Sequence, residues 1–289
     1  MSIQTIAFIG LGIMGRPAAV NLMKAGYTVR TWARHPEKIA DLSAAGALLC
    51  PSVREALRGA DAAVTMLSAP ADVEQVYFDP EGILACAATG TFLIDMTTSS
   101  PELAKRLHRE GKQRGLRVLD APVTGGKRGA EEGTLAIFAG GDPEDFEECR
   151  PVFAACGKQA VLMGPAGSGQ SAKMANQILV AGALTGICES LAYARRAGLD
   201  LHELLPLLCA GSGSSRQLEK LGPKIIEKDD TPSFYVRYLA KDLRIAVSEA
   251  HRAGLELNSA EGTLKALDRL TARGMGNLGT QALIHAYED

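Results

Sequence analysis

Along the first half of the chain, short apolar runs rich in β-branched residues alternate with longer segments of mixed apolar and charged positions. Thr5–Ile9, Thr28–Trp32, Ala62–Leu67, Phe92–Asp95, Val118–Asp120, Leu135–Phe138 and Ala160–Leu162 have the length and content of strands. Helix-like stretches lie between some of them: one ending at Lys24 with Gly26 as its stop, then Pro101–Arg114 and Pro143–Ala155. Strands alternating with crossover helices predict a largely parallel sheet covered on both faces. Around Gly164 the pattern changes. A loop rich in Gly, Pro and Ser interrupts the chain, and no strand pattern follows it. Ser171–Ala197 predicts one long Ala-rich helix, about 40 Å at 1.5 Å per residue, stopped by Gly198. Leu201–Cys209, Ser233–Ala253 and Ser259–Arg273 predict further helices. The expected architecture is an α/β domain over residues 1–164 and an all-helical domain over 165–289, joined by the long central helix. That helix is apolar on nearly every side, which predicts burial between domains or between subunits.

The first strand runs directly into Gly10-Leu11-Gly12-Ile13-Met14-Gly15, which opens a helix. Gly10 permits a tight turn, Gly12 lets the backbone approach a pyrophosphate, and Gly15 lets helix and strand pack closely. The free N–H groups at the helix start favour phosphate. With strand, helix and next strand in register, residues 1–164 read as a Rossmann dinucleotide-binding domain. An acid at the end of the second strand would select NAD, whereas an Arg accommodates the 2′-phosphate of NADP. Here that strand ends Thr31-Trp32-Ala33-Arg34-His35, with no acid from Tyr27 to His35. Arg34 therefore points to NADP, with NAD as the alternative.

Composition narrows the rest. Hydrophobic residues make up 46% of the chain and charged ones 22%, as in a globular protein with a substantial core. The net charge of -2, with Lys and Arg scattered among acids, disfavours nucleic acid and anionic membrane as partners. The six cysteines form no CxxC pair and have no His neighbours at metal-ligand spacing, so no metal site is expected. They read as reduced thiols of a cytoplasmic protein. MSIQTIAFIGLG lacks the positive leader and cleavage site of a signal peptide. The apolar run Ile178–Cys188 is too short to span a bilayer, which takes roughly 20 residues.

There is no Tyr-x-x-x-Lys pair and no HExxH or serine-nucleophile motif, and the histidines sit in polar contexts without an evident carboxylate to orient them. The segment after Gly164 offers a different acid/base. Lys173, Asn176 and Gln177 stand at i, i+3 and i+4 and share one helix face. A lysine and two amides on an apolar helix suit proton transfer to a carbonyl oxygen held by the amides; the alternative is a lysine reaching solvent near the helix start. Asp120-Ala-Pro122-Val-Thr124-Gly125-Gly126 follows a strand and so lies at the carboxyl edge of the sheet, where Thr124 and the two glycine N–H groups suit a carboxylate. Lys241, inside a later helix, reads by itself as an ordinary surface lysine.

Together these motifs resemble the β-hydroxyacid dehydrogenase family, which includes 3-hydroxyisobutyrate dehydrogenase, tartronate semialdehyde reductase and the glyoxylate/succinic semialdehyde reductases. FIGLGIMG at Phe8–Gly15, MLS at Met66–Ser68, IDMTTSSP at Ile94–Pro101, DAPVTGG at Asp120–Gly126, GxGxxxKxxNQ at Gly167–Gln177 and F-x6-KDL from Phe234 to Leu243 stand in family order over essentially the whole chain. The resemblance implies that Lys173 is the catalytic acid/base and that Thr124, Gly125 and Gly126 hold the substrate carboxylate, with Asn176 and Gln177 beside it. It implies cofactor contacts at Met66, Leu67, Thr98 and Lys241, and a lid position for Phe234. Thr124 departs from the family's usual Ser, Gln177 from a second Asn, Ala33 from an Asp or Asn, and Gly279 from an Asp. Trp32-Ala33-Arg34 and GGKRGAEEGTL are most similar to the NADPH-using glyoxylate/succinic semialdehyde reductases. The expected activity is NADP-dependent interconversion of a small carboxylate-bearing aldehyde with its hydroxyacid. The alternatives are an NAD-dependent 3-hydroxyisobutyrate or tartronate semialdehyde enzyme and, in another class, a non-catalytic NADP-binding sensor. The apolar long helix predicts a homodimer or homotetramer.

Overall fold

Thr5–Ile9 (β1) buries Ile6, Ala7, Phe8 and Ile9 in succession, which requires cover on both faces of the sheet. In the computed structural model, which describes residues 3–288, β1 lies parallel to β2 (Thr28–Trp32) on one side and to β4 (Ala62–Thr65) on the other. β3 (Leu48–Leu49) extends the sheet beyond β2, while β5 (Phe92–Asp95) and β6 (Arg117–Asp120) continue beyond β4, all parallel. β8 (Leu135–Gly141) then runs antiparallel to both β6 and β7 (Val123–Thr124), and β9 (Gly157–Leu162) pairs in parallel with β8. The order β3-β2-β1-β4-β5-β6-β8-β7 reverses direction between β1 and β4, so the carboxyl ends of these two strands flank the crevice where open α/β sheets bind ligands. Alternate side chains feed two apolar layers. Phe8, Leu22, Val64, Ile94 and Phe153 share one, and Ile9, Ala63, Tyr77, Leu93 and Leu107 share the other.

The strand bounds expected at Thr28–Trp32 and Phe92–Asp95 coincide with those found. The run Ala62–Leu67 is strand only to Thr65, and the Met66 carbonyl oxygen that follows lies close against Gly10. The sheet also departs from uniform parallel pairing at β7 and β8, which flank the helix Gly126–Glu132.

The chain divides into two compact units, Met1–Lys173 and Met174–Asp289, and the division falls inside the long helix Ser168–Arg196. In the second unit Leu184, Leu191, Leu221, Leu239, Leu243, Leu267 and Leu283 form a helical core. It is built from the end of the long helix with Leu201–Ala210, Arg216–Ile226, Val236–Arg252 and Asn258–Ala272. The helix Arg216–Ile226 is not among those expected from sequence, and it holds Gly222 and Pro223 in its interior. At Gly222 a Cβ would stand 2.7 Å from Leu205 Cδ1, so a larger residue would make that leucine side chain shift. The helix expected from Ser233 begins instead at Val236. Tyr235 forms a bridge with Gly279, and Thr280 N donates to the Phe234 carbonyl, which holds this stretch extended.

The long helix, 29 residues, is long and apolar enough to cross a membrane by length and composition, which corrects the expectation drawn from Ile178–Cys188 alone. Its buried Leu184, Cys188 and Leu191 pack into the core of the helical unit, as in the core helix of a globular domain. Among the described residues no cysteine is in a disulfide.

Candidate active site

Two of the three glycines in the loop after β1 answer a close contact within the chain. Gly10 has φ +103°, and a Cβ there would meet the Met66 carbonyl oxygen at 2.4 Å. At Gly15 a Cβ would lie 1.9 Å from the Gly10 carbonyl oxygen and 3.1 Å from Phe8 Cε1, so close packing of helix on strand demands glycine. A Cβ at Gly12 would meet no atom of the chain. The fold itself does not require glycine at 12, whereas a pyrophosphate lying against the backbone would. The helix Gly15–Lys24 has no acid in its first turn and no side-chain cap, leaving its N–H groups and positive dipole end suited to phosphate. Leu11 and Met14 are half-buried and Ile13 is exposed. These residues fit a dinucleotide.

Arg34 follows β2 and is exposed, and although no acid lies within Tyr27–His35, one reaches it from elsewhere in the chain. Its Nη2 donates to Asp72 Oδ1 at 2.7 Å. Asp72 lies in the first turn of the helix Pro70–Phe78, which follows β4. The order β2-β1-β4 brings together residues 38 apart. Two of the histidines, expected to lack an evident carboxylate, have carboxylate neighbours. His285 lies 2.9 Å from Asp230, 55 residues away, and 3.1 Å from Glu288, three residues on, and His251 lies 2.8 Å from Glu261.

Behind the loops after β4 and β5 runs a buried polar network. Asp95 Oδ1 accepts from Thr65 Oγ1 at 2.8 Å and from Thr97 N at 3.0 Å, and Tyr77 Oη lies 2.8 Å from Thr65 Oγ1. Thr97 Oγ1 in turn accepts from Leu67 N at 2.8 Å. Burial pushes the Asp95 carboxyl up to about 6, against the hydrogen bonds from Thr97 and Thr65. Met66 is buried, and Leu67 and Thr98 are half-buried at the ends of these strands.

At the end of β6, Asp120 is buried and receives Gly167 N at 2.7 Å and Gln170 N at 2.8 Å. Burial raises its carboxyl above the ordinary range, and these backbone donors pull it back. The carboxylate thus anchors the start of the helix that carries Lys173, itself buried at 7% exposure. Thr124 ends β7, half-buried, and is followed by Gly125 (φ +136°) and Gly126 (φ +66°). In the helical unit, Asn176 Nδ2 donates to Gln177 Oε1 at 2.8 Å, and Gln177 Nε2 donates to buried Asp242 at 2.6 Å. Lys241 Nζ pairs with Asp242 at 2.9 Å. Both ends of the Gln177 amide are thus engaged inside that unit. Phe234 is half-buried in its core, and Gln281 fills the space that a side chain at Gly279 would take. Asp72, Asp95, Gln170 and Asp242 were not singled out from sequence. The only local signal for any of them was the place of Asp95, Gln170 and Asp242 inside the motifs.

Comparison with known proteins converges on these elements. A profile described as the NAD binding domain of 6-phosphogluconate dehydrogenase matches residues 5–164. Another, described as NAD-binding of NADP-dependent 3-hydroxyisobutyrate dehydrogenase, matches residues 167–287. The NAD-dependent L-serine dehydrogenase of Pseudomonas aeruginosa is 39% identical over 86% of this chain and 85% of its own. The 2-hydroxy-3-oxopropionate reductase of Escherichia coli is 36% identical over 98% of this chain and 97% of its own. A solved structure of Mycobacterium tuberculosis 3-hydroxyisobutyrate dehydrogenase with L-serine superposes with a TM-score of 0.89 at 30% identity, covering 100% of both chains. With a Rossmann-type sheet, a glycine loop that fits a dinucleotide and a helical C-terminal unit, the chain belongs to the β-hydroxyacid dehydrogenase family of NAD(P)-dependent enzymes acting on CH–OH donors.

Proposed function

We propose that this enzyme uses NADP to interconvert glyoxylate or a three- or four-carbon semialdehyde with its hydroxyacid, and that Lys173 is the acid/base. The observation that supports this most is a buried lysine in the opening turns of a helix anchored by Asp120 at the carboxyl edge of the sheet. The nicotinamide, when bound, supplies or accepts the hydride. The backbone of Gly10, Gly12 and Gly15 holds the pyrophosphate, Arg34 faces the ribose, and Met66, Leu67, Thr98 and Lys241 complete the cofactor contacts. The proton moves between Lys173 Nζ and the substrate oxygen, and Asn176, on the same helix face, hydrogen-bonds that oxygen. Thr124 Oγ1 and the N–H groups of Gly125 and Gly126 hold the carboxylate and so fix the reacting carbon, with Gln177 beside them. The unpaired cysteines support a cytoplasmic location. Leu179 and Tyr193, large and exposed on the long helix, support a homodimer or homotetramer.

The carboxylate assignment has a direct test. Two charge-assisted hydrogen bonds at roughly 1.5 kcal/mol each correspond to about 10²-fold in kcat/KM. Succinic semialdehyde is therefore expected to exceed butyraldehyde by about that factor. Equal values for the two would remove the carboxylate site.

Asp72 favours a second reading, with NAD as cofactor, since it already engages the guanidinium that a 2′-phosphate would need. Arg34 is exposed and Asp72 half-buried in this pair, so its worth is discounted to about 1 kcal/mol. Arg34→Ala is expected to lower kcat/KM about 30-fold with NADPH and barely with NADH. Asp72→Ala should raise the NADPH/NADH ratio about fivefold by freeing Arg34 and removing a repelling charge. A wild type that prefers NADH tenfold, with both variants affecting the cofactors alike, would select NAD.

A further inference from the structure

We propose that Gln170 is a positioning residue for the reaction, setting the Lys173 helix in register with the loops that follow β4 and β5. This rests on the reading of Lys173 as acid/base. Gln170 is fully buried at 0% exposure in the first turn of the helix Ser168–Arg196. A buried primary amide is costly unless both its ends are paired. Here both are: Oε1 accepts from Ser99 N at 2.9 Å, and Nε2 donates to the Thr97 carbonyl oxygen at 2.7 Å. The main-chain N of the same residue donates to Asp120 Oδ2 at 2.8 Å.

One side chain thus joins three elements. Through Ser99 and Thr97 it grips the loop after β5. Through Thr97, whose Oγ1 accepts from Leu67 N, it reaches the loop after β4. Through its own backbone it fixes the helix start to Asp120 at the end of β6. The helix lies directly on sheet backbone at this point, because a Cβ on Gly169 would stand 2.4 Å from the Phe138 carbonyl oxygen and 2.8 Å from that of Asp120. Lys173 follows Gln170 by three residues, less than one turn and about 4.5 Å along the axis. A slide or rotation of the helix start therefore passes almost undiminished to Nζ, and a misplacement of about 1 Å at a reacting group can cost 10²-fold.

The experiment compares kcat, cofactor KM and pH profile for wild type, Gln170→Met, Gln170→Glu and Lys173→Met. Methionine fills the volume but leaves Ser99 N and the Thr97 carbonyl unpaired. It is expected to lower kcat about 10–100-fold while cofactor KM changes less than about threefold. Glutamate separates positioning from packing. Ionised, it sets an oxygen against the Thr97 carbonyl and adds charge near Asp120 and Asp95. Protonated, its O–H donates to that carbonyl while the other oxygen accepts from Ser99, restoring the native pattern. The kcat of Gln170→Glu relative to wild type is thus expected to rise about tenfold as pH falls from about 8.5 to 6. If Gln170→Met does not fold, the Gln170→Glu profile decides alone. A Gln170→Met kcat within twofold of wild type, or a flat Gln170→Glu ratio, overturns the proposal. Failure of the underlying reading looks different: Lys173→Met would retain turnover, and the proposal would fall with it. Loss of turnover in Lys173→Met beside a wild-type Gln170→Met would overturn the positioning role alone.

Discussion

Lys173→Ala is expected to lower kcat about 10²–10⁴-fold, the usual worth of a general acid/base, while cofactor affinity stays within about threefold. Lys173 is buried, yet it belongs to the helix turn that Asp120 and Gln170 tie to the sheet. Removing its side chain leaves those anchors intact, so the fold and the glycine loop should persist. Lys173→Arg should fare little better, because a guanidinium holds its proton throughout the neutral range. Steady-state turnover and cofactor titration at neutral pH check both variants. An alanine variant with more than about half the wild-type kcat would falsify the acid/base role.

Gly15→Ala is expected to weaken cofactor binding at least about 10²-fold and to lower thermal stability as well. The added methyl would stand 1.9 Å from the Gly10 carbonyl oxygen, where ordinary contact begins near 3.4 Å. Neither side can yield cheaply. Gly10 is itself pressed on the Met66 carbonyl, and Phe8 lies at 3.1 Å. Overpacking of this kind costs about 1–3 kcal/mol of stability. The remaining escape is for the helix start to lift by about 1 Å or more, carrying its N–H groups away from the pyrophosphate. Gly12→Ala is the internal control. Its Cβ meets nothing in the chain, so melting temperature should hold while cofactor affinity falls. Calorimetric titration and thermal unfolding separate the two. A Gly15→Ala protein with wild-type affinity would sink the packing assignment.

The sequence made the sheet legible because its strands are short apolar runs closed by turn residues. Thr28–Trp32 and Phe92–Asp95 needed no tertiary information. The glycine loop was legible for the same reason: the contacts at Gly10 and Gly15 are made with the adjoining strand and turn or with the residue that follows the next strand over. What stayed hidden depends on long-range pairing. Arg34 meets Asp72 across 38 residues, Gln177 meets Asp242 across 65, and Gln170 meets Ser99 and Thr97 across 71 and 73. No window along the chain contains such partners. The helix Arg216–Ile226 was hidden differently. Gly222 and Pro223 lie inside it, both poor helix formers, and Gly222 packs closely against the Leu205 side chain.

The buried bond between Thr65 and Asp95 also fixes how two strands align. Thr65 and Asp95 face each other directly across β4 and β5, joined at 2.8 Å. A slip of one residue would turn every side chain to the opposite face. A slip of two would keep the faces but set the Asp95 carboxylate opposite Ala63 or Leu67, with no hydroxyl to receive it, at a cost of several kcal/mol. Apolar strands such as Ala62–Thr65 and Phe92–Asp95 discriminate poorly between such alignments by themselves. One carboxylate and one hydroxyl remove the ambiguity, and with it any misalignment of Met66 and Thr97 at the strand ends.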